Sequence, residues 1–520
     1  MIERRHASRG VRTLYPLDRR RDRRPLFYLG ILTLALLGIR AVSLLVVAQP
    51  GYTDAYYYAT VASRLAHGEG LSADFVWNFI EAPRFAALPV PSHRFWMPLA
   101  SLLQAGGIVA LGGPLGDFRA GQLAVVAVAG LIPLVTYAAA RSLGASAGAA
   151  LLGAAVAGLG GAFAPAWVSL DSFAPAAAIG TLFFVALARA ARGSVRAGAL
   201  AGLLVGLLYL ARAEGALFGI ALLWLAGRRG SARAGVTGSA VALAIGVAWL
   251  ARGVMIGFPE DLVARSVLLV RYQDFFAVAP PTLEAFLAAP IDLAAARASA
   301  LLTNAVTAAM ALLIAPLFPL VVAVRRRWAL PEVRAFVGLF VLVYLAQSLL
   351  FTLHSVRGSF FHSLAAFFPF AVALAAAGTQ DLFVPASRRL VTSASLAAFG
   401  VVSAFALGQW DVDFNTPYRA RLAALSFIPP GPLVVTDAAA WRWISGRTAV
   451  LAPADGERLA SCAAEVYLAP TLVLEPAHFS AYDDLYRSQR SDLFSWQAGA
   501  GGIRVYSVRP GARCILANGP

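Results

Sequence analysis

The chain has 520 residues, 59% of them hydrophobic and 13% charged, with a mean hydropathy of +0.71. A soluble globular domain does not carry that balance, and a polytopic membrane protein does. The formal net charge of +16 is carried without a single lysine, and the arginines fall in short clusters between apolar runs rather than on basic faces alternating with aromatics, which excludes nucleic acid as a partner.

Nine arginines open the chain: Arg4, Arg5, Arg9, Arg12, Arg19, Arg20, Arg21, Arg23 and Arg24. Basic flanks are retained in the cytoplasm, so residues 1–25 read as a cytoplasmic N-terminus. Residues 26–48 are apolar apart from Arg40 and long enough to cross a bilayer. The run is too long for a cleavable signal peptide, and no small-residue cleavage site follows it. The chain then emerges into Gly51-Tyr52-Thr53-Asp54-Ala55-Tyr56-Tyr57-Tyr58. Asp54 is thereby expected just outside the far leaflet, where a carboxylate can take a proton from a hydroxyl arriving from outside. Its alternative role is to cap a helix starting near Ala55. The loop of residues 49–118 also holds His93-Arg94 and the apolar, uncharged stretch 95–112, read as an outer juxtamembrane or re-entrant helix.

Further candidate spans are 122–140, 147–163, 173–188, 197–211, 214–227, 236–251, 300–324, 331–351, 359–378 and 390–408. The clusters Arg189/Arg192/Arg196, Arg228/Arg229/Arg233, Arg325/Arg326/Arg327 and Arg388/Arg389 separate them. All clusters reach the cytoplasmic side only if an even number of crossings lies between neighbours, and roughly eleven spans satisfy this. Residues 26–408 form the membrane domain on this count, and 409–520 fall outside.

Between the spans lie a few ionisable groups. Asp171 follows Trp167-Val168-Ser169-Leu170; it can cap the next span, serve with Asp54 as a second catalytic carboxylate orienting the acceptor, or hold a divalent cation. Arg212 and Glu214 are flanked by apolar runs, where charges are costly and are either paired or functional. A guanidinium at Arg212 or Arg357 suits a lipid-linked phosphate. His354, Arg357 and His362 form another polar island between spans. Residues 252–299 include Arg271-Tyr272-Gln273-Asp274-Phe275-Phe276, which reads as an interfacial amphipathic helix. No His/Cys metal spacing, Walker-type glycine loop or Gly-x-Ser-x-Gly elbow occurs, so no metal ligands are assigned and no cofactor beyond the divalent-cation alternative.

The tail carries short β-like runs at Pro432–Thr436, Thr448–Leu451, Val466–Leu474 and Ile503–Val508 between helical stretches, the pattern of a small α/β domain. It holds the only two cysteines, Cys462 and Cys514. Outside the membrane they can form a disulfide; they can equally be free and buried.

These residues resemble the GT-C class of membrane glycosyltransferases, which includes protein O-mannosyltransferases and the aminoarabinose transferases of lipid A. The resemblance covers most of residues 26–380. It rests on the Asp54 loop after the first span, the stretch Arg119-Ala120-Gly121-Gln122 to Gly144, Asp171, Leu210–Gly215 and Arg357–Phe370. It implies a GT-C-like helical membrane domain with outer juxtamembrane helices, a polyprenyl-phosphate sugar donor bound between membrane and outer loops, and Asp54 as the catalytic base. The acceptor is then a glycan, lipid or protein, in a plasma or bacterial inner membrane. Arg212 or Arg357 would stabilise the leaving phosphate, with Glu214, His362 and His93 beside the substrate. Tyr56 and Tyr57, with Trp77 and Trp96, would stack on sugar rings or anchor the loop at the interface. Asp54 is followed here by Ala-Tyr rather than by the paired acidic residues of some members. A lipid or glycan transporter or flippase, a polysaccharide polymerase or ligase, and a scaffold are the alternatives; a transporter predicts charges inside the spans, and these cluster at span ends.

Overall fold

The computed structural model describes residues 24–81, 85–257, 261–313, 316–510 and 514. The first 23 residues, with eight of the nine N-terminal arginines, lie outside them.

Apolar runs become helices because every backbone N–H and C=O must be satisfied internally in a bilayer. The segment α1 (Arg24–Val46) is followed by α2 (Thr53–Ala66), α3 (Leu99–Ala129), α4 (Leu131–Ser142), α5 (Ala147–Leu159), α6 (Phe173–Ala190), α7 (Val195–Ala211), α8 (Gly219–Ala226) and α9 (Ala232–Met255). Two short helices, α10 (Leu262–Val267) and α11 (Leu283–Leu287), lead to α12 (Pro290–Ala311), α13 (Leu317–Arg326) and α14 (Pro331–Leu349). The turn α15 (Thr352–His354) precedes α16 (Phe360–Ala365) and α17 (Phe368–Leu382), and α18 (Pro385–Trp410) closes the bundle. Among the described residues, seven helices are long and apolar enough to cross a membrane, the bent segment Thr352–Ala365 plus Phe368–Leu382 makes an eighth if it is one span, and three shorter apolar helices accompany them. The expected spans fall on these helices, but 300–324 is divided between α12 and α13, 122–140 between α3 and α4, and 359–378 between α16 and α17.

The turns after α6 and α8 meet at Gly193 and Gly230, and those after α4, α13 and α17 meet at one end of the bundle. There Arg327 donates to the Leu143 carbonyl at 2.8 Å and pairs with Asp381 at 2.5 Å. Asp54, Asp171, Arg212 and Arg357 fall at the opposite end. Helix packing relies on small residues: Gly198 and Gly202 of α7 lie so close to α9 that a Cβ on either would sit 2.2 or 2.1 Å from the carbonyl oxygens of Ala234 and Gly238, the small-xxx-small contact of membrane helices.

The stretch expected as a juxtamembrane helix is the first half of α3. At Gly116 the backbone turns into a conformation with φ +73° that only glycine adopts freely, and the helix folds back. A Cβ on Gly107 would meet the Ala120 carbonyl at 2.5 Å, and one on Gly121 would lie 3.3 Å from Gln104. Thirteen residues of straight helix would separate 107 from 120 by about 20 Å. Residues 99–115 therefore pack against the following span, with α2 beside them.

The tail is an α/β unit: α19 (Thr416–Ala424), β4 (Leu433–Val435), α20 (Ala438–Ser445), β5 (Ala449–Leu451), α21 (Glu457–Val466), β6 (Thr471–Leu474), α22 (Asp483–Ser488), β7 (Phe494–Ala500) and β8 (Ile503–Val508). In the first loop, β1 (Ser72–Ala73) pairs antiparallel with β3 (Val90–Pro91), whereas β2 (Phe75–Val76) leaves that loop to join β5. The resulting six-stranded sheet has the order β2-β5-β4-β6-β8-β7, parallel from β2 to β6 and antiparallel beyond. The first loop and the tail thus share one sheet and one apolar core, in which Tyr57, Phe75 and Trp77 join Leu433, Trp441 and Val450. Cys462 and Cys514 are bridged, with Cα atoms 4.5 Å apart.

Candidate functional site

The site is built at the start of α2. Gly51 lies against the Trp410 indole, where a Cβ would approach to 2.5 Å, and its φ of +106° needs glycine. Gln49 accepts from the Gly51 N–H at 2.6 Å and the Tyr56 hydroxyl at 2.5 Å and donates to Asn415 at 3.0 Å. This fixes the entry into the helix. Asp54 then sits in the first turn rather than at the cap; the cap residue is Tyr52, which makes no side-chain capping bond. Among the described residues no other residue's side chain donates to the Asp54 carboxylate, which faces a cavity of about 1280 Å³.

Asp171 lies behind Asp54, fully buried and off the cavity wall. It accepts from the Tyr52 hydroxyl at 2.7 Å, from the Ser172 hydroxyl at 3.0 Å and from the Ser172 N–H. His362 completes the group. Its Nδ1 is 2.9 Å from the Gly358 carbonyl and its Nε2 is 3.0 Å from Asp171. A carbonyl and a carboxylate only accept, so both ring nitrogens carry hydrogens and the ring is an imidazolium. Phe173 stacks on it at 4.0 Å.

The two carboxylates are driven apart. Burial pushes the Asp54 carboxyl up to about 6, the adjacent Asp171 charge adds to the rise, and His362 and Arg212 oppose it. Burial alone would also raise Asp171, but the His362 charge and hydrogen bond, with the Tyr52 and Ser172 donors, outweigh it and hold this group near 2. Asp171 is the fixed charge, and Asp54 is the carboxylate that can exchange a proton.

Arg212 pairs with Glu214 and donates to the Ser359 hydroxyl at 3.1 Å. Glu214 also accepts from Ser363 at 2.5 Å. Both line the cavity, but this guanidinium is already paired. Arg357 lines the same cavity, lies over the Tyr272 ring at 4.9 Å, and among the described residues has no ion-pair partner. Asp54, Asp171 and His362 offer one ligand atom each within 4.8 Å of one another. Two carboxylates and an imidazole suit a divalent first-row cation, which would take the place of the Nε2 proton.

Three expected substrate contacts lie away from the cavity. Tyr56, Tyr57 and His93 do not line the cavity. Tyr56 is held by Gln49, Tyr57 donates to the buried Glu81 at 3.0 Å, and His93 packs between Tyr57 and Tyr58 with its N–H donating to the Tyr57 hydroxyl at 2.6 Å. Tyr56 and Tyr57 lie on the faces of α2 that meet the tail domain and the loop core, and His93 comes from that loop. The aromatics that do line the cavity include Tyr52, Tyr58, Trp77, Trp96 and Tyr272. Tyr52, Tyr58, Tyr272 and Gln347 line the cavity without being among the expected site residues. Tyr52 had a signal, its place two residues before Asp54.

No protein-family model matches the chain, and no curated protein matches it. Solved structures do. ArnT from Cupriavidus metallidurans bound to undecaprenyl phosphate superposes with a TM-score of 0.58 at 14% identity, covering 94% of this chain and 99% of that one. The apo form of the same enzyme gives a TM-score of 0.56 at 14% identity, over 95% and 99%. The archaeal oligosaccharyltransferase AglB from Archaeoglobus fulgidus, in complex with an inhibitory peptide and a dolichol-phosphate, gives 0.51 at 13% identity, over 85% of this chain and 69% of that one. The fold is therefore that of GT-C membrane glycosyltransferases.

Proposed function

We propose that the protein is an inverting glycosyltransferase that moves a sugar from a polyprenyl-phosphate donor to a hydroxyl acceptor on the extracytoplasmic side of the membrane. The observation that carries this reading is Asp54: a half-buried carboxylate with no ion-pair partner among the described residues, raised toward neutrality and facing a large cavity that also holds Arg357, a cation likewise without an ion-pair partner among them. A base works best when its pKa lies near the working pH.

The step is one displacement. Asp54 takes the acceptor O–H proton as that oxygen bonds to the anomeric carbon from the face opposite the phosphate. The bond from the anomeric carbon to the phosphate oxygen breaks, and polyprenyl phosphate leaves with the electron pair. Arg357 meets the negative charge growing on the phosphate, while Arg212 holds Glu214 and the Ser359–Ser363 turn in place. His362 keeps Asp171 ionised behind the base. The apolar cavity walls suit an isoprenoid chain, and ArnT, which shares the fold, binds undecaprenyl phosphate. The arginine-rich N-terminus, read as cytoplasmic, and the parity of the expected crossings support an outer position for the site and the tail domain.

The test is release of undecaprenyl phosphate from a panel of undecaprenyl-phosphate hexoses and pentoses, with cell-envelope extract as acceptor, by the purified protein in nanodiscs. Transfer that depends on Asp54 supports the assignment; no transfer with any donor contradicts it.

A further inference from the structure

The tail sheet has a crevice of its own. From β4 the chain steps through α20 to β5 on one side, and from β5 through α21 to β6 on the other. In open α/β sheets that reversal leaves a cleft beyond the carboxyl ends of the two central strands, where ligands bind. Here the cleft lies beyond β4 and β6, at Thr436–Asp437 and Glu475. It is filled by the protein itself. Arg421 of α19 makes two bonds to Glu475, at 2.6 and 2.9 Å, and Thr436 donates to the same carboxylate at 2.9 Å. Asp437 caps α20 by accepting from the Ala440 N–H at 3.2 Å, and its other oxygen accepts from the hydroxyl of Thr53 at 3.1 Å. Thr53 is the first residue of α2 and the neighbour of Asp54.

The cleft therefore takes the first turn of α2 where a free α/β domain takes its ligand. Two further ties bind the tail to the cavity roof. Strand β2 joins its sheet, and Asp455 accepts from the Val278 and Ala279 N–H groups at 2.6 and 3.0 Å, just after the Tyr272–Phe276 turn that supplies cavity wall. We propose that Asp437 is a positioning residue: through Thr53 it fixes the first turn of α2 and so aims the Asp54 carboxylate at the acceptor, with Arg421 and Glu475 holding the cleft in shape. The tail is then a working part of the catalytic centre. The proposal rests on the reading of Asp54 as the base.

Two substitutions separate positioning from folding. Asp437→Asn keeps both hydrogen bonds, since the amide oxygen can cap α20 while its N–H₂ meets the Thr53 hydroxyl, and gives up only the 3.9 Å contact of the carboxylate with Arg421, which Glu475 still holds. Asp437→Ser still caps α20, serine being a good N-cap, but is too short to reach Thr53. Three readouts apply to the full chain in nanodiscs: transfer from the donor panel, affinity for undecaprenyl phosphate, and hydrogen–deuterium exchange in α2 and in the tail strands. The expected result is a loss of turnover in Asp437→Ser of about 10- to 100-fold, the scale of an ångström-level misplacement. Affinity should be unchanged, exchange across residues 53–60 faster, and exchange in 433–435 and 471–474 as in the parent. Asp437→Asn should stay within a few-fold of the parent in all three. Parental turnover in Asp437→Ser overturns the proposal, as does equal loss in both variants or loosening of the tail strands. If the parent transfers no sugar, the functional reading fails, and faster exchange in α2 alone still supports the positioning contact.

Discussion

His362 and Asp171, 191 residues apart in sequence, face each other at 3.0 Å, and the other ring nitrogen of His362 is spent on the Gly358 carbonyl. The pair is an imidazolium–carboxylate contact between the half-buried His362 and the buried Asp171, and its consequence falls on Asp54. Asp171 stays negative there, so Asp54 meets a fixed like charge in a buried setting and binds its proton more tightly than an exposed aspartate does.

A pH profile should show this directly. Asp54 acts as a base only when ionised, and its pKa is about 6. Turnover should be flat above pH 7 and fall about tenfold per unit once pH drops well below 6. Asp171 is depressed, so the stability it contributes is lost only as pH falls through about 2. The limb near 6 therefore reports the base and not unfolding of this group. A limb near 4 would mean that Asp54 is exposed or is not the base.

The two arginines should separate by phenotype. Arg357→Ala should weaken undecaprenyl phosphate binding roughly 10- to 100-fold, the worth of one charge-assisted hydrogen bond, with little change in melting temperature. Arg212→Ala strips the partner from Glu214 and should chiefly destabilise the protein, since breaking a buried pair costs about 3–5 kcal/mol. Ligand titration and thermal unfolding of both variants check this; the opposite pattern would move the phosphate to Arg212.

Chelation tests the third ligand. With both nitrogens of His362 protonated, the proton does the work that a cation would do between the carboxylates. EDTA-treated protein should keep its turnover. A loss of tenfold or more, restored by Mn²⁺ or Mg²⁺, would show instead that a cation displaces the Nε2 proton.

Much of this was legible in the sequence, for physical reasons. A bilayer demands long apolar runs, and arginine clusters mark their ends, so positions such as α6 and α14 fall within a few residues of expectation. Asp54 stood out because a lone carboxylate follows a span directly. Strands β4, β5 and β8 carry the β-branched runs that predict them, whereas β7, Phe494–Ala500, is polar and small and gives no such signal. The expected strand from Val466 starts only at Thr471, because Glu457–Val466 is helical. What sequence could not give is side: α2 is covered by both the tail and the first loop, so Tyr56 and Tyr57 turned inward while Tyr52 and Tyr58 took the cavity. Nor could spacing reveal that Asp171 meets His362, or that β2 crosses into the tail sheet, since both contacts are made across hundreds of residues.

The central claim is that Asp54 is the base, and Asp54→Asn tests it most directly. The amide keeps the size of the side chain and lacks the basicity, and its oxygen can still accept the hydrogen bond that the Asp54 carboxylate takes from its own backbone N–H. Sugar transfer from the undecaprenyl-phosphate donor that the parent uses, measured in nanodiscs alongside undecaprenyl phosphate affinity, should fall by roughly 10²–10⁴-fold, the usual worth of a general base, while affinity stays within a few-fold of the parent. Turnover close to that of the parent would show that Asp54 is not the base and would contradict the mechanism, even with the fold unchanged.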